Sequence, residues 1–356
     1  MSDFSDKKIS RREFLKKTAL LGAAGVVGSS LVAPLGAFAD DITNIASMRF
    51  QPSWIPDIQV GGIYAAIYEG YYEKQKLSVR MLPGGPGILA GSVVDSGGAE
   101  FGEMASSVDL VKAVSQGTKL KTFATAFQRS PAGLAYIKQY PDGKKGVDYS
   151  AGPAALKGKR VGITGGSNLP WRVMCATAGL DPDKDFQIVS TGFDLSPLLD
   201  GTVQAIWCFL TNQPGMVRGK GYEIGTIDSY EWGYKVPGNF YITKPAALEE
   251  RFDLVKRFLA ATKQGWEFTN GPQGASVCEK VTKALAPNYG TKLDQQLAQL
   301  KDQIPFMQSA LAKQKGLLCV NLQDWESAIR IMTDIGELEK IPKVEDLATT
   351  AVFDSL

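Results

Sequence analysis

The chain has no histidine in 356 residues. That absence rules out a Ser/His/Asp triad and a Cys/His pair, and it removes the commonest nitrogen ligand of zinc. Charge of one sign is lacking too, with 39 Lys and Arg against 37 Asp and Glu. No internal stretch reaches the apolar length of a membrane span, and no repeat or low-complexity segment is present. Glycine-rich loops do occur, but none fits the Walker A spacing or the dinucleotide fingerprint. No motif therefore calls for a metal or a cofactor, and hydrolysis by paired carboxylates has no positive support.

What is present begins at the N-terminus. Ser10-Arg11-Arg12-Glu13-Phe14-Leu15-Lys16 precedes an apolar run from Ala19 to Val32, which is followed by Ala37-Phe38-Ala39. Charged segment, apolar core and small-x-small site come in the order of a twin-arginine signal peptide cleaved after Ala39. No cysteine follows the apolar run, so the expectation is a mature periplasmic chain that has met the Tat translocon during export. Six of the basic and three of the acidic residues lie in that segment, leaving 33 basic against 34 acidic. The small basic bias belongs to the leader, and nothing favours nucleic acid as a partner. Cys175, Cys208, Cys278 and Cys319 show no C-x-x-C spacing. Because this route exports folded chains from a reducing cytoplasm, free buried thiols are expected.

Residues 45–243 alternate strand and helix patterns. Strands are expected at 46–50, 77–82, 99–104, 120–126, 134–138, 160–164, 187–191, 203–208, 223–227 and 240–243. Such alternation implies α/β architecture with largely parallel sheets covered on both faces. After Thr243 only helical patterns remain: Leu248, Phe252, Val255, Leu259 and Trp266 recur at helical spacing, then helices at 276–285, 292–311 with Pro305 interrupting, and 322–335. This tail is expected to return and cover the first sheet. A boundary near 129–132 and a return near 235–239 divide the chain into a leader at 1–39, a discontinuous first lobe at 40–130 plus 239–356, and a second lobe at 131–238. Two crossings make a two-stranded hinge.

Candidate site residues follow from the rule that open α/β sheets hold ligands at strand C-terminal ends. Trp54 and Asp57 follow the first strand, with Tyr64 on the helix after them. Gly84-Gly85-Pro86-Gly87 follows the second strand, ahead of a helix expected near Ile88, and offers bare amides. Ser106 and Ser107 follow the third strand. Gly166, Ser167 and Asn168 open a helix in the second lobe, where an N-cap is the plainer role. Trp171, Trp207, Asn212 and Trp232, with Tyr230 and Tyr234, lie beside other strand ends. A single aromatic among these is ordinarily core filling, but several on both sides of a cleft suit a planar ring. Asp57, Glu103 and Glu231 could each accept a hydrogen bond from a ring amino group, or be plain loop acids.

Trp54-x-Pro56, Gly62-x-Tyr64-x-Ala66, Glu69-Gly70-Tyr71-Tyr72, Leu77-x-Val79, Pro83-Gly84-Gly85-Pro86, Glu100-Phe101-Gly102 and Leu156-Lys157-Gly158-Lys159-Arg160-Val161-Gly162 together resemble the solute-binding proteins of the SsuA/THI5-like (NMT1) group. Thr211-Asn212-Gln213-Pro214 and Gly238-Asn239 continue the likeness. The resemblance implies a type II periplasmic binding protein fold, with two doubly wound lobes on a two-stranded hinge. It also implies a monomer that hands a small molecule to an ABC permease in the inner membrane. The Trp-x-Pro opening and the Pro-Gly-Gly-Pro loop look most like the branch associated with thiamine pyrimidine precursors and riboflavin. Binders of sulfonate, taurine and nitrate are cousins. Members of that branch often carry Thr-Asn-Glu-Pro where this chain has Gln213, an amide in place of a carboxylate. Related pyrimidine synthases rely on histidine chemistry, so an enzyme reading ranks below transport.

Overall fold

The structure is a computed structural model that describes residues 45–164, 168–192 and 195–356. The expected signal peptide and its cleavage site lie outside the described residues, as do Gly166, Ser167 and the side chain of Asn168. No helix among the described residues is long and apolar enough to cross a membrane.

Each of the ten stretches read as extended corresponds to a strand: β1 Ala46–Gln51, β2 Leu77–Met81, β3 Phe101–Met104, β4 Lys121–Phe127, β5 Ala132–Gln139, β6 Arg160–Ile163, β7 Gln187–Ser190, β8 Ala205–Phe209, β9 Glu223–Asp228 and β10 Gly238–Thr243. They form two five-stranded sheets, ordered β2-β1-β3-β10-β4 and β7-β6-β8-β5-β9. The sheets are mixed, which corrects the expectation of largely parallel ones. β10 runs antiparallel to both β3 and β4, and β5 runs antiparallel to both β8 and β9. The reason is topological. β5 and β10 enter directly from the other sheet, without a crossover helix of their own to reset their direction.

The chain passes between the sheets after β4 and again after β9. The two passing segments are bonded to each other: Ser130 N donates to the Val236 carbonyl at 2.9 Å, and the Ser229 hydroxyl donates to the Ala132 carbonyl at 2.7 Å. This pair of linked strands is the hinge of a two-lobed α/β fold.

The tail covers both faces of the first sheet. On one face the helix Phe252–Asn270 brings Phe258 into stacked contact with Phe101, with centroids 4.1 Å apart, and places it against Phe50, Phe123 and Tyr72. Its Trp266 indole N–H donates to the Tyr241 hydroxyl at 2.7 Å, so the polar edge of a buried indole is satisfied. On the other face Trp325, from the helix Leu322–Asp334, packs edge-on against Phe240 at 4.8 Å. The single helix expected over 292–311 is two, Leu293–Met307 and Ala310–Lys315. Pro305 sits in the last turn of the first, and the Ser309 hydroxyl caps the second by accepting from Ala312 N at 2.9 Å.

The helix Gly61–Tyr68 meets Phe252–Asn270 at a crossing set by two glycines. A methyl group on Gly265 would overlap the Gly62 carbonyl oxygen, and one on Gly62 would overlap the Trp266 ring. Gly265→Ala is therefore expected to destabilise the fold by about 1–3 kcal/mol through overpacking. Urea unfolding reads this directly, and a variant as stable as the parent would show that the helices can separate without cost.

Candidate functional site

A cavity of about 580 Å³ opens between the two sheets. Most of its walls come from strand C-terminal ends on both sides, with Ala113, Thr118 and Leu120, ahead of β4, completing one flank. Ser53, Trp54 and Gln59 follow β1, Ile88 to Ser92 and Asp95 follow β2, and Met104, Ala105, Ser106 and Asp109 follow β3. Thr164 follows β6, while Trp207, Cys208, Phe209, Asn212 and Gln213 lie at and after the end of β8. Each lobe contributes one indole. Among the described lining residues there is no Lys or Arg.

Of the residues selected from sequence, Trp54, Ser106, Trp207 and Asn212 line this cavity. Ser106 also caps the helix Ser107–Ser115, accepting from Asp109 N at 3.4 Å. The others lie elsewhere. Trp171 is 1 % exposed and packs edge-on against Phe186 in the second lobe's core. Trp232 lies over Gly152 against the same core. Tyr64 is buried in the first lobe and stacks on Tyr68. Ser107 is wholly buried at the first position of its helix. Gly84 packs against the Trp54 carbonyl and Pro52, and Gly85, at φ 148°, turns the chain so that Ile88 N reaches the Gly85 carbonyl. The residues after that loop face the cavity instead, with Leu89 70 % exposed at the rim, and the helix begins at Ala90. Glu231 is exposed near Arg129. Tyr230 also lies beside Arg129, and Tyr234 is buried in the first lobe's second core cluster.

Asp57 and Glu103 form a buried polar layer beneath the cavity floor. Asp57 caps the turn Ile58–Val60 by accepting from Gln59 N at 2.8 Å, and it accepts from Gln299 Nε2 at 3.1 Å. Gln299 in turn accepts from Asn212 Nδ2 at 2.9 Å, so a second-lobe side chain is tied to the tail helix Leu293–Met307. Arg218, from Gln213–Arg218, pairs with Asp302 on that same helix. Burial pushes the Asp57 carboxyl up to about 7 against the pull of the Gln59 and Gln299 donors, and the nearby Glu103 charge adds to the rise. Glu103 accepts from the Ser53 hydroxyl at 3.0 Å and from Asn239 Nδ2 at 2.5 Å, and burial raises its pKa as well. Asn239 sits at the start of β10 with φ 27°, a region that non-glycine residues rarely enter. Its bond to Glu103 joins the hinge to Ser53 at the cavity wall.

Cys208 reaches the cavity wall, yet burial raises its thiol to about 12, so it is held protonated and is a poor nucleophile. All four cysteines are buried and unpaired.

Two hinged α/β lobes with a cleft at their facing strand ends make a clamshell of the periplasmic binding protein fold. Residues 57–275 match the NMT1/THI5-like family model, and the chain belongs to that family. It is 23% identical over 302 residues to the riboflavin-binding protein RibY of Chloroflexus aurantiacus, covering 83% of each chain. The periplasmic aliphatic sulphonate binding protein SsuA of Escherichia coli has the same fold, with a TM-score of 0.59 at 16% identity over 87% of this chain and 99% of that one. So has the desulfurization enzyme DSZB, with a TM-score of 0.54 at 12% identity over 87% and 98%.

A carboxyl whose pKa is higher folded than unfolded favours folding most at low pH, and that contribution is lost as pH rises toward the folded value. For Asp57 the window runs from about 4, the ordinary carboxylate value, to about 7. Relative to Asp57→Asn, which does not titrate, the wild type is expected to lose up to about 1.4 kcal/mol of stability per pH unit across that window. Urea unfolding of both proteins at pH 5 and pH 8 tests it; a stability difference that does not change with pH would refute the assignment.

Proposed function

We propose that the protein is the periplasmic substrate-binding subunit of an ABC importer, capturing a small aromatic heterocycle of the riboflavin or thiamine-pyrimidine kind. In this reading it leaves the cytoplasm by the twin-arginine route, works as a monomer, and delivers its ligand intact to an inner-membrane permease. The supporting observation is the composition of the cavity: an indole from each lobe, apolar surface from Ile88, Leu89 and Phe209, and no cationic side chain among the described lining residues. A planar ring with little or no negative charge suits such walls. A sulfonate or nitrate ion would give up its hydration there without a countercharge in return. The likeness to a riboflavin-binding protein points the same way.

Catalysis has less support, although an enzyme shares the fold. Fold alone does not decide between binding and chemistry. This cleft has no histidine, and its one cysteine is held as the thiol.

The test is a tryptophan-fluorescence titration with riboflavin, 4-amino-2-methylpyrimidines and alkanesulfonates, followed by mass spectrometry of the recovered ligand. Saturable binding of a heterocycle, recovered unchanged, is expected. Trp207→Ala should weaken it by roughly 5- to 150-fold, the equivalent of about 1–3 kcal/mol for one lost aromatic stack. Response to alkanesulfonates alone, or a chemically altered heterocycle, would overturn the proposal.

A further inference from the structure

In sequence Asp109 is an ordinary acid at a helix start, three residues after the capping Ser106. Such an acid complements the helix dipole and forms half of a capping box. The structure gives it a second setting. On the helix Ser107–Ser115 the side chains of Val108, Leu110 and Val111 are buried in the first lobe, whereas Asp109 is exposed and forms part of the cavity wall. Partial desolvation raises its pKa, against the pull of a hydrogen bond with Ser106 and of the Lys112 charge. The cation one turn along, Lys112, is engaged by Glu337 at 2.7 Å. No Lys or Arg among the described residues forms an ion pair with the Asp109 carboxylate, and none lines the cavity it faces.

The remaining charge around the cavity has the same sign. Asp95, at the end of Ala90–Asp95, is the other acidic side chain among the described lining residues, and Glu103 lies behind Ser53. A carboxylate in a partly enclosed cavity interacts with a ligand charge far more strongly than one in open water, because screening is weaker there. The apolar wall and the two indoles provide for a ring; the Asp109 carboxylate is hydrogen-bonded to Ser106 but has no cation paired with it, and its remaining acceptor positions suit a charged donor.

We propose that Asp109 is a specificity-determining residue of the cleft, accepting the charged hydrogen bond of a protonated amine on the bound heterocycle. The inference rests on the reading of the cleft as the ligand site and adds to it the charge of the ligand. Charge-assisted hydrogen bonds are roughly twice as strong as neutral ones, so an amine is distinguished from a hydroxyl of the same size at the same position.

The experiment compares two probes that differ only in that group, the 5-aminomethyl and 5-hydroxymethyl forms of 4-amino-2-methylpyrimidine, with riboflavin as a third arm. Dissociation constants are measured by tryptophan fluorescence on the full mature protein and on Asp109→Asn and Asp109→Glu. The wild type is expected to prefer the aminomethyl form by about tenfold or more. Asp109→Asn should bring the two probes to within about twofold, and Asp109→Glu should restore most of the preference. Thermal melts of both variants confirm that they are folded. A wild type that binds the probes equally, or binds riboflavin alone, overturns the role of Asp109 and leaves the heterocycle reading standing. A preference that survives Asp109→Asn overturns it equally. Failure of all three probes with the wild type would remove both.

Discussion

Asp57 and Glu103 are buried close to the cleft with amides and hydroxyls, not cations, as their partners. A buried carboxylate is tolerated only where its hydrogen bonds are made, so the positions of its donors are tightly constrained. Those donors are distributed over the parts that have to stay in register. Gln59 and Ser53 belong to the loops after β1, Gln299 to the tail helix and Asn239 to the hinge crossing, while Asn212 of the second lobe is joined through Gln299. Separation of the lobes at Asn212 would leave Gln299 short of one donor, and displacement of Asn239 would leave Glu103 short of one. The polar layer thus ties the cavity wall, the hinge and the tail into one arrangement.

The tail helix Leu293–Met307 has a larger part in this than a covering element would need. It carries Gln296 and Gln303, which bond the backbone of Ile58 from either side at 2.8 and 3.1 Å, and so it fixes the turn that presents Gln59 to the cavity. It also carries Asp302 opposite Arg218, and Phe306 beneath the Arg129 guanidinium at the first crossing. One helix therefore touches the ligand-side turn, the second lobe and the hinge. The helical tail, expected from sequence only to cover the first sheet, also supplies a third link between the lobes beside the two crossings.

Much of the fold was legible because strand patterning survives burial: the extended stretches stand out as short apolar or alternating runs, most of them with Gly, Pro, Asn or Asp at one end. Strand direction was not legible. Nothing in the residues of β5 or β10 distinguishes a strand that follows a crossover helix from one that enters from the neighbouring sheet. In the cleft, the strand-end rule led to Trp54, Ser106, Trp207 and Asn212, since position along a strand can be read from the chain. It led astray for Trp171, Trp232 and Tyr64, because a large aromatic one turn into a helix fills a core as readily as a cleft. Asp109 was missed for the converse reason. Its local pattern, Ser106-x-x-Asp109, has a complete explanation as a helix cap, and only the three-dimensional setting shows that the same side chain also lines the cavity. Leu89 was hidden by the glycines before it, which drew attention to backbone amides where the wall is made of the apolar side chains that follow.

Selectivity in such a cleft depends on what its walls decline to offer. The sulphonate-binding protein and the desulfurization enzyme share this architecture at 16% and 12% identity, so the arrangement of lobes does not specify a ligand. The side chains at the strand ends do. With Asp95 and Asp109 in the wall and Glu103 behind it, a bound anion would meet like charge from the first lobe and find no cation among the described residues of either lobe. Like charges brought together in a partly desolvated space cost several kcal/mol, which offsets the gain from a few hydrogen bonds to an anion. The same acids lower the free energy of any ligand that carries its own proton on nitrogen. On the proposed role of Asp109, the negative wall is a filter on the sign of a ligand's charge before contact and a countercharge to its amine after contact.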